Sequence, residues 1–289
     1  MSSQEQRSKR LKRLFREAAF ASGSALSAFL KEFAKSHSGC YFQYTTISAL
    51  KGMYENGCLL LTRATKLNDS DEMKIQPAEK ERTYVASFSA LRSESIAMWT
   101  LYGTPAKEGI RIRFPKKTID KLLSVVRGED KKLFAYGVRS LKRIGTCKKA
   151  VQVEEAYFTD VAYRGKNALT WRDLCVAGLP QLGQMVEGDS LLGQIKDDFW
   201  RYENEVRLIV KLKSDPKNYP PKIAIPVKRL LKDMTVVLGP CFAEGDESEF
   251  IKEVEEKEKV KFTKSVCTRK VRFPKTSPCE GCKRCTVRE

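Results

Sequence analysis

Residues 199–210, FWRYENEVRLIV, contain the pattern that most constrains the fold of this chain. Aliphatic side chains occupy every second position, which is the period of a β-strand with one face in a core. These residues are Val206, Leu208 and Val210. On such a strand Glu203, Glu205 and Arg207 share the opposite face. That face is either a solvated surface, whose charges neutralise each other, or a catalytic edge that carries two carboxylates.

Short strand and helix patterns alternate along the rest of the chain without a regular β-α-β order. β-Forming residues predict strands at 39–46, 82–90 and 109–114, and an apolar period of 3.6 residues predicts a helix that ends at Asn56-Gly57. Helical patterns are also predicted for two further segments, residues 131–145 and 190–203. This order of elements predicts an α+β fold, with a mixed, largely antiparallel sheet core and peripheral helices.

The net charge of +18 is concentrated towards the two ends of the chain. Residues 1–38 hold eight Lys and Arg against three Glu, and residues 261–289 hold nine against two Glu. Basic ends around a milder body are typical of proteins that hold a polyanion, so we expect a nucleic-acid partner. Solubility and an anionic membrane surface are the alternatives. We divide the chain into a basic, amphipathic helical N-terminal segment (1–38), an α+β core expected to be catalytic (39–275) and a basic Cys-rich tail (276–289).

The cysteine content and the short apolar segments indicate where in the cell the protein is expected. Nine cysteines, an odd count without a convincing secretion signal, predict reduced thiols and a cytoplasmic protein. No apolar run of 18 residues occurs, so we expect no membrane span. Cys279, Cys282 and Cys285 form a CxxCxxC cluster whose spacing suits thiolates around one zinc ion, with Cys267 as a candidate fourth ligand. The alternative is a basic tail with incidental cysteines.

Two common nucleotide-binding motifs and histidine-based catalysis are not supported by the sequence. Neither GxGxxG after a strand nor GxxxxGK[ST] occurs. The one histidine, His37, lies in a polar segment after a predicted helix, which argues against a Ser-His-Asp or Cys-His triad. Chemistry in this chain would therefore depend on carboxylates, hydroxyls, Tyr, Arg, Lys or thiolates.

Four motifs in order resemble a bacterial and phage domain-of-unknown-function family. They are YFQYTTISALKGMYENGCLLLTRATKLNDSDEM (41–73), YVASFS (84–89), MWTLYGTPAKEGIRIRF (98–114) and FWRYENEVRLIV (199–210). The family pattern includes a Tyr-Thr strand, an Asn-Asp-x-x-Glu loop, a Met-Trp-x-x-Tyr helix and a Trp-x-x-Glu-x-Glu-x-Arg strand. The resemblance covers roughly residues 40–270.

A weaker resemblance is to ADP-ribosyltransferases of the DarT type. Ser87-Phe88-Ser89 is similar to the Ser-x-Ser element of the transferase core, and Glu203-Asn204-Glu205 is similar to its Glu-x-Glu element. The resemblance implies a transferase-like fold, NAD as substrate and transfer of ADP-ribose to nucleic acid. Such an activity would suit a toxin or a phage-defence effector.

The same resemblance implies roles for individual residues. Glu205 would hold the ribose 2′-hydroxyl against an oxocarbenium-like centre, Glu203 would orient or deprotonate the acceptor, and Ser87 would support the glutamate. The other residues implied at the NAD site are Tyr44 or Tyr102 for stacking on nicotinamide, Arg63 or Arg207 for the pyrophosphate, Asn68 in a polar wall beside the site, and Thr45 as a further cofactor-binding residue.

Two other functions stay open from the sequence. Asp69 and Glu72 could join Glu203 and Glu205 in a Mg²⁺-dependent nuclease, because carboxylate oxygens are preferred ligands of this ion. Alternatively, the chain is a non-catalytic nucleic-acid-binding module with an inert carboxylate face. In that case the helix around Tyr102 would serve packing alone.

Overall fold

The structure is a computed structural model of the chain. It describes residues 23–36, 39–67, 77–127, 133–136, 150–164, 193–213, 219–243, 245 and 247–268. The helices are α1 (Gly23–Ser36), α2 (Ile47–Asn56), α3 (Pro77–Arg82), α4 (Ile96–Tyr102), α5 (Lys116–Arg127) and α6 (Ser248–Glu258). Short 3-10 turns span Ala64–Lys66, Ala106–Glu108, Asp198–Glu203 and Lys228–Asp233.

Thirteen strands are assigned within the described residues. They are β1 (Cys40–Thr46), β2 (Cys58–Arg63), β3 (Thr83–Ser89), β4 (Gly109–Pro115), β5 (Leu133–Tyr136), β6 (Ala150–Val151), β7 (Val153–Asp160), β8 (Ala162–Arg164), β9 (Ile195–Asp197), β10 (Glu205–Leu212), β11 (Lys222–Pro226), β12 (Thr235–Leu238) and β13 (Lys261–Lys264).

Eleven of these strands form one sheet. Its main path is β13-β12-β4-β1-β3-β2-β11-β5-β6, while β10 pairs with β3 and β7 pairs with β10. All of these pairs are antiparallel except β12 with β13; β8 and β9 form a separate parallel pair. The prediction of an α+β fold with a mixed, largely antiparallel sheet is confirmed, and its likeness to ADP-ribosyltransferases stays a prediction.

Local sequence explains the elements that lead to the cleft described below. The Thr46 side chain accepts a hydrogen bond from the backbone N–H of Ala49 (3.3 Å) and caps the start of α2. Gly57 ends α2 with φ of +63°, a conformation that glycine adopts without steric cost. Strand β10 is buried along its whole length between β3 and β7. Its three alternating aliphatic residues are fully buried, as predicted: Val206, Leu208 and Val210.

Two of the predicted helices were wrong where the structure describes them. Residues 133–136, inside the predicted helix 131–145, form β5 because they pair with β11 on one side and β6 on the other. Residues 195–197, inside the predicted helix 190–203, form β9 and lead into a 3-10 turn. Gly193 precedes this strand with φ of +73°, which interrupts a helical path.

The N-terminal helix belongs to the packed body of the described residues. Helix α1 packs on β7, and its residues Phe29 and Leu30 are buried. Residues 276–289 lie outside the described residues, so the predicted division at 38 and 276 stays a prediction. Over the ranges given above, no helix is long and apolar enough to cross a membrane.

The sheet splits between β1 and β2. Strand β1 pairs with β3 only through Phe42 and Ser89, and β2 pairs with β3 only near Thr62 and Arg63. Within these three described strands, residues 86–88 of β3 have no ladder partner on either β1 or β2. The divergence of two strands from a shared neighbour opens a cleft in the sheet.

Candidate active site

The cleft at the split has a volume of about 280 Å³ and is lined by both apolar and charged side chains. Its aromatic and aliphatic lining includes Phe42, Tyr44, Val85, Phe88, Met98 and Tyr102. Its charged lining comprises Lys66, Lys196, Glu203, Glu205 and Arg207. A concave apolar site with a few convergent polar groups is the usual form of a small-molecule site.

The backbone around the two glutamates is held from several sides. Asn204 lies between them in the left-handed conformation, with φ of 42°, and asparagine is among the non-glycine residues that adopt it most readily. The Ser89 hydroxyl donates to the carbonyl of Glu203 (2.7 Å), and the backbone N–H of Glu205 donates to the Tyr163 hydroxyl (2.7 Å). Glu203 therefore ends a 3-10 turn rather than lying on the strand as predicted, and β10 begins at Glu205.

The predicted face is buried rather than solvated. The exposed fractions of Glu203, Glu205 and Arg207 are 3%, 3% and 1%. The alternative of a solvated face that neutralises itself is therefore wrong. A buried charge must be paired and hydrogen-bonded to persist, so the partners of each glutamate decide what it can do.

Glu205 is an ion-paired carboxylate. Arg207 binds both of its oxygens, with Nε 2.7 Å from Oε1 and Nη2 2.8 Å from Oε2. Lys196 Nζ lies 3.4 Å from Oε2, and Ser87 adds a hydrogen bond. Burial alone would raise the pKa of the Glu205 carboxyl, but Arg207 and Lys196 together lower it to about 2. Glu205 is therefore ionised at any physiological pH.

Glu203 has the opposite electrostatic environment. Burial and the neighbouring Glu205 charge raise the pKa of Glu203, against the opposing effect of Lys196. Lys196 Nζ donates to Glu203 Oε2 (2.7 Å), and the Tyr102 hydroxyl donates to Oε1. Two carboxyl groups with pKa values shifted in opposite directions are the arrangement that assigns different acid–base roles to neighbouring residues.

Lys196 is the principal site residue that the sequence did not indicate. It lies on β9, is buried, and bridges Glu203 and Glu205 while its ammonium group sits 4.4 Å from the Trp200 ring centroid. A cation–π contact of this kind fixes a lysine side chain over the ring. The only sequence signal was a lysine seven positions before Glu203, inside a segment predicted to be helical.

Three of the predicted residues line the cleft together with the glutamates and Arg207: Tyr44, Ser87 and Tyr102. Tyr44 has a second, structural task, because its hydroxyl accepts the backbone N–H of Ser95 (3.0 Å) at the start of α4. Its ring also packs edge-on against Trp99 at 4.8 Å, and burial raises the pKa of its phenol. Burial and the Glu203 hydrogen bond likewise raise the pKa of Tyr102.

Two other predicted residues are not among the residues that line the cleft. Thr45 is partly buried and pairs with Ile110 on β4. Arg63 is engaged elsewhere, by an ion pair with Glu81 (2.7 Å) and a hydrogen bond to a backbone carbonyl. Lys66, one 3-10 turn further along the chain, lines the cleft and is exposed. Asn68 lies outside the described residues.

The prediction of a zinc site is corrected. Over the described part of the chain, no group of three or more His, Cys, Asp or Glu side chains could hold a metal ion. Cys279, Cys282 and Cys285 lie outside the described residues, and Cys267 is a free, partly buried thiol. The nuclease alternative stays a prediction, although Glu203 and Glu205 are each paired with a cation. Asp69 and Glu72 lie outside the described residues.

Comparison with known proteins gave no relationship from which to transfer a function. No family model, no curated protein and no solved structure matches this chain. The two resemblances stay predictions from the motifs, and the functional argument rests on the cleft and the carboxylate pair, Glu203 and Glu205.

Proposed function

We propose that this chain is an NAD-dependent enzyme of the ADP-ribosyltransferase type, with nucleic acid as its acceptor. The observation that supports the proposal most strongly is the carboxylate pair, whose two pKa values are shifted in opposite directions within one cleft. Transfer of ADP-ribose needs one permanently ionised carboxylate and one that can take up a proton. Glu205 and Glu203 match these two requirements.

Glu205 would stabilise the charge that develops on the sugar. When the bond between nicotinamide and ribose breaks, its electron pair goes to the nicotinamide nitrogen and the ring leaves as a neutral molecule. No acid is needed for this departure, and positive charge develops on the ribose. An ionised carboxylate whose position is fixed before the reaction stabilises such a transition state without reorganisation. Arg207 holds Glu205 in one orientation, and a ribose hydroxyl would take the place of Ser87 or of the long Lys196 contact.

Glu203 would act on the acceptor. The acceptor atom forms a bond to the ribose carbon and loses a proton, which Glu203 would take. A general base works best when its pKa lies near the working pH, and burial raises the pKa of Glu203 in that direction. Lys196 would hold the Glu203 carboxylate in place through its hydrogen bond, and Glu203 would still be able to accept a proton.

The size and lining of the cleft support the nicotinamide end of NAD as its ligand. Its volume of about 280 Å³ lies at the lower end of ligand pockets, which is enough for one ring and a ribose. Tyr102 lines this space beside Glu203, and an aromatic ring there can stack on nicotinamide. Lys66 would contact the pyrophosphate from the exposed end of the cleft in place of Arg63.

Nucleic acid as acceptor is supported by charge alone. The net charge of +18 attracts polyanions, and the most basic segments lie near the two ends of the sequence. If phosphates bind there, each lost contact lowers the slope of log affinity against log salt by about 0.7–0.9. Removal of residues 1–16 should therefore flatten the salt dependence of nucleic-acid binding.

The proposal is tested by incubating the full chain with NAD labelled in its ADP-ribose part and separate pools of single-stranded DNA, RNA and protein. We expect label in a nucleic-acid pool and release of free nicotinamide. If nicotinamide is released but no pool is labelled, the NAD-cleavage part of the proposal is supported and the nucleic-acid acceptor is contradicted. Label confined to protein would change the acceptor class, and no nicotinamide release in any pool would contradict the proposal.

A second candidate, a non-catalytic nucleic-acid-binding module, is favoured by one observation. Both oxygens of Glu205 are occupied by Arg207, and both oxygens of Glu203 accept hydrogen bonds from the protein. In that case the charged cluster would only stabilise the fold. Salt-sensitive retention of nucleic acid without NAD turnover would support this candidate.

A further inference from the structure

One short segment supplies two of the groups that hold the carboxylate pair. We call residues 193–197 the strap; it runs from Gly193 into β9. Lys196 of the strap donates to Glu203 (2.7 Å) and lies 3.4 Å from Glu205. The carbonyl of Gly193 accepts a hydrogen bond from Arg207 Nη1 (2.9 Å). The position of the strap therefore decides where two cationic partners of the carboxylates sit.

The strap is tied to the N-terminal helix by a buried polar side chain. Gln194 is fully buried, accepts the hydroxyl of Ser27 on α1 at Oε1 (2.8 Å) and donates from Nε2 to Thr159 on β7 (2.5 Å). Its backbone carbonyl also accepts the N–H of Ala162 on β8 (2.8 Å). Gln194 thus joins the strap to the distant helix α1 and to the consecutive strands β7 and β8.

We propose that Gln194 is a positioning residue, which acts through its Ser27 and Thr159 contacts to hold Lys196 over the carboxylate pair. The proposal rests on the proposed function only where it predicts catalysis. Its structural part stands on the Ser27–Gln194–Thr159 chain of hydrogen bonds and the strap.

The physical reason is the cost of moving a buried polar group. A buried amide that loses a hydrogen-bond partner is left unsatisfied, so Gln194 strongly favours one position of the strap. Strands β8 and β9 pair over only three residues, and a slip of one residue would turn Lys196 to the opposite face of this short pair. The Gln194 contacts to α1 and β7 oppose that slip from outside the strand pair.

We call the Ser27–Gln194–Thr159 chain of hydrogen bonds the tether. Its removal should change the pH at which Glu203 titrates. The charged or titratable groups that act on Glu203 come from α4, β8, β9, β10 and the 3-10 turn that ends at Glu203. They are Tyr102, Tyr202, Tyr163, Lys196 and Glu205, and Arg207 is paired with Glu205. Lys196 is the cation that contacts Glu203 directly, so its displacement should move the Glu203 titration to higher pH.

The test follows Glu203 directly by NMR of protein labelled with ¹³C at the glutamate carboxyl, with Glu203→Gln to assign the signal. Ser27→Ala breaks the tether from α1, and Gln194→Met breaks it from the strap. Lys31→Met is the matched control, because Lys31 lies on α1 and contacts Glu155 and Tyr157 without touching the strap. Ser27→Thr keeps the hydroxyl. Thermal melting verifies that each variant is folded, and a folded variant of either tether residue decides the result.

We expect the Glu203 midpoint to move to higher pH in Ser27→Ala and Gln194→Met, to return towards the wild-type value in Ser27→Thr, and to stay unchanged in Lys31→Met. In NAD cleavage, misplacement of the site should lower kcat by up to about 10²-fold, with the pH profile displaced in the same direction. A folded Ser27→Ala or Gln194→Met protein with the wild-type midpoint would overturn the proposal. A moved midpoint in a chain without NAD cleavage would keep the tether and remove the proposed function.

Discussion

Two buried arginines, one on β10 and one on β4, have different kinds of partner. Arg207 on β10 is 1% exposed and binds the carboxylate of Glu205 and the carbonyl of Gly193. Arg111 on β4 is 3% exposed, and its Nη2 donates to the backbone carbonyls of residues 91–93 at 2.6, 2.9 and 3.3 Å. Its guanidinium also stacks on Phe42, 3.6 Å from the ring centroid.

The glutamates near these arginines differ in the same way. Glu205 is neutralised by cations and lines the cleft. Glu94 accepts hydrogen bonds from neutral groups, namely Trp99 Nε1 (3.0 Å), the Ser265 hydroxyl and the N–H of Val266 (3.1 Å), and is not among the residues that line the cleft. Burial of a charge therefore does not by itself mark a site. A charge whose partners are backbone groups fixes a loop, whereas paired charges that border a cleft can take part in chemistry.

The largest effect is expected from removing each arginine. Arg207→Met leaves buried Glu205 with only the 3.4 Å Lys196 contact and the Ser87 hydrogen bond, which should lower the free energy of unfolding by about 3–5 kcal/mol and end catalysis. Arg111→Met leaves backbone carbonyls without a donor and should cost about 1–3 kcal/mol. Denaturant unfolding measures both. Equal losses, or a larger loss for Arg111→Met, would contradict the distinction between the two arginines.

Replacement of Glu203 should separate the two halves of the reaction. Glu203→Gln removes the base but leaves Glu205, so transfer to an acceptor should fall by about 10²-fold or more, while hydrolysis of NAD to ADP-ribose falls less. The wild-type transfer rate should also fall as pH drops through the raised pKa of Glu203, because the protonated carboxyl cannot accept a proton. Equal losses in transfer and hydrolysis would remove Glu203 from the acceptor step.

Stability should depend on pH with opposite signs for the two carboxyls. Glu205 has a lowered pKa in the folded state, so its contribution is present above its ordinary value of 4.5 and is lost as pH falls towards 2. Glu203 has a raised pKa, so its contribution is present below its ordinary value and is lost as pH rises through the raised value. Thermal melting across pH should therefore show less acid sensitivity in Glu205→Gln and less loss towards neutral pH in Glu203→Gln. Less acid sensitivity in Glu203→Gln, with less loss towards neutral pH in Glu205→Gln, would contradict the opposite pKa shifts of the two carboxyls.

The smallest expected effect distinguishes Lys66 from Arg63. Lys66→Ala should raise KM for NAD roughly two- to fivefold, as expected for one exposed ionic contact, and leave kcat unchanged. Arg63→Ala removes an ion pair with Glu81 and should leave KM as it is, since Arg63 is not among the residues that line the cleft. Steady-state kinetics of the two variants provide the comparison. A raised KM in Arg63→Ala alone would restore the pyrophosphate role predicted from the sequence.

The sequence was sufficient where structure depends on neighbouring residues. The period of two in β10 predicted its buried face, and α2 ends at Gly57, where the sequence predicted its end. The same pattern placed Glu205 and Arg207 on one face. The pattern could not show whether that face is exposed to water or borders a cleft. This depends on β7, the strap and α4, which come from other parts of the chain.

The residues that sequence reasoning missed or misplaced depend on contacts between distant segments. Lys196 lies in residues 190–203, which the sequence predicted to be helical, whereas Gly193 and pairing with β8 produce a strand. Arg63 was predicted as a pyrophosphate ligand from the motif resemblance, although Glu81 holds Arg63 elsewhere. Local patterns do not encode such pairings, so the partners of each glutamate became visible only in the fold.

The central claim, that Glu205 is an ionised catalytic group and not only half of a structural ion pair, is tested by nicotinamide release from NAD. Wild type and Glu205→Gln are compared at neutral pH, with thermal melting in parallel. We predict measurable release by the wild type and a loss on the order of 10²-fold or more in a folded Glu205→Gln protein. A folded Glu205→Gln protein that releases nicotinamide at the wild-type rate, or a wild type that releases none, would contradict the claim.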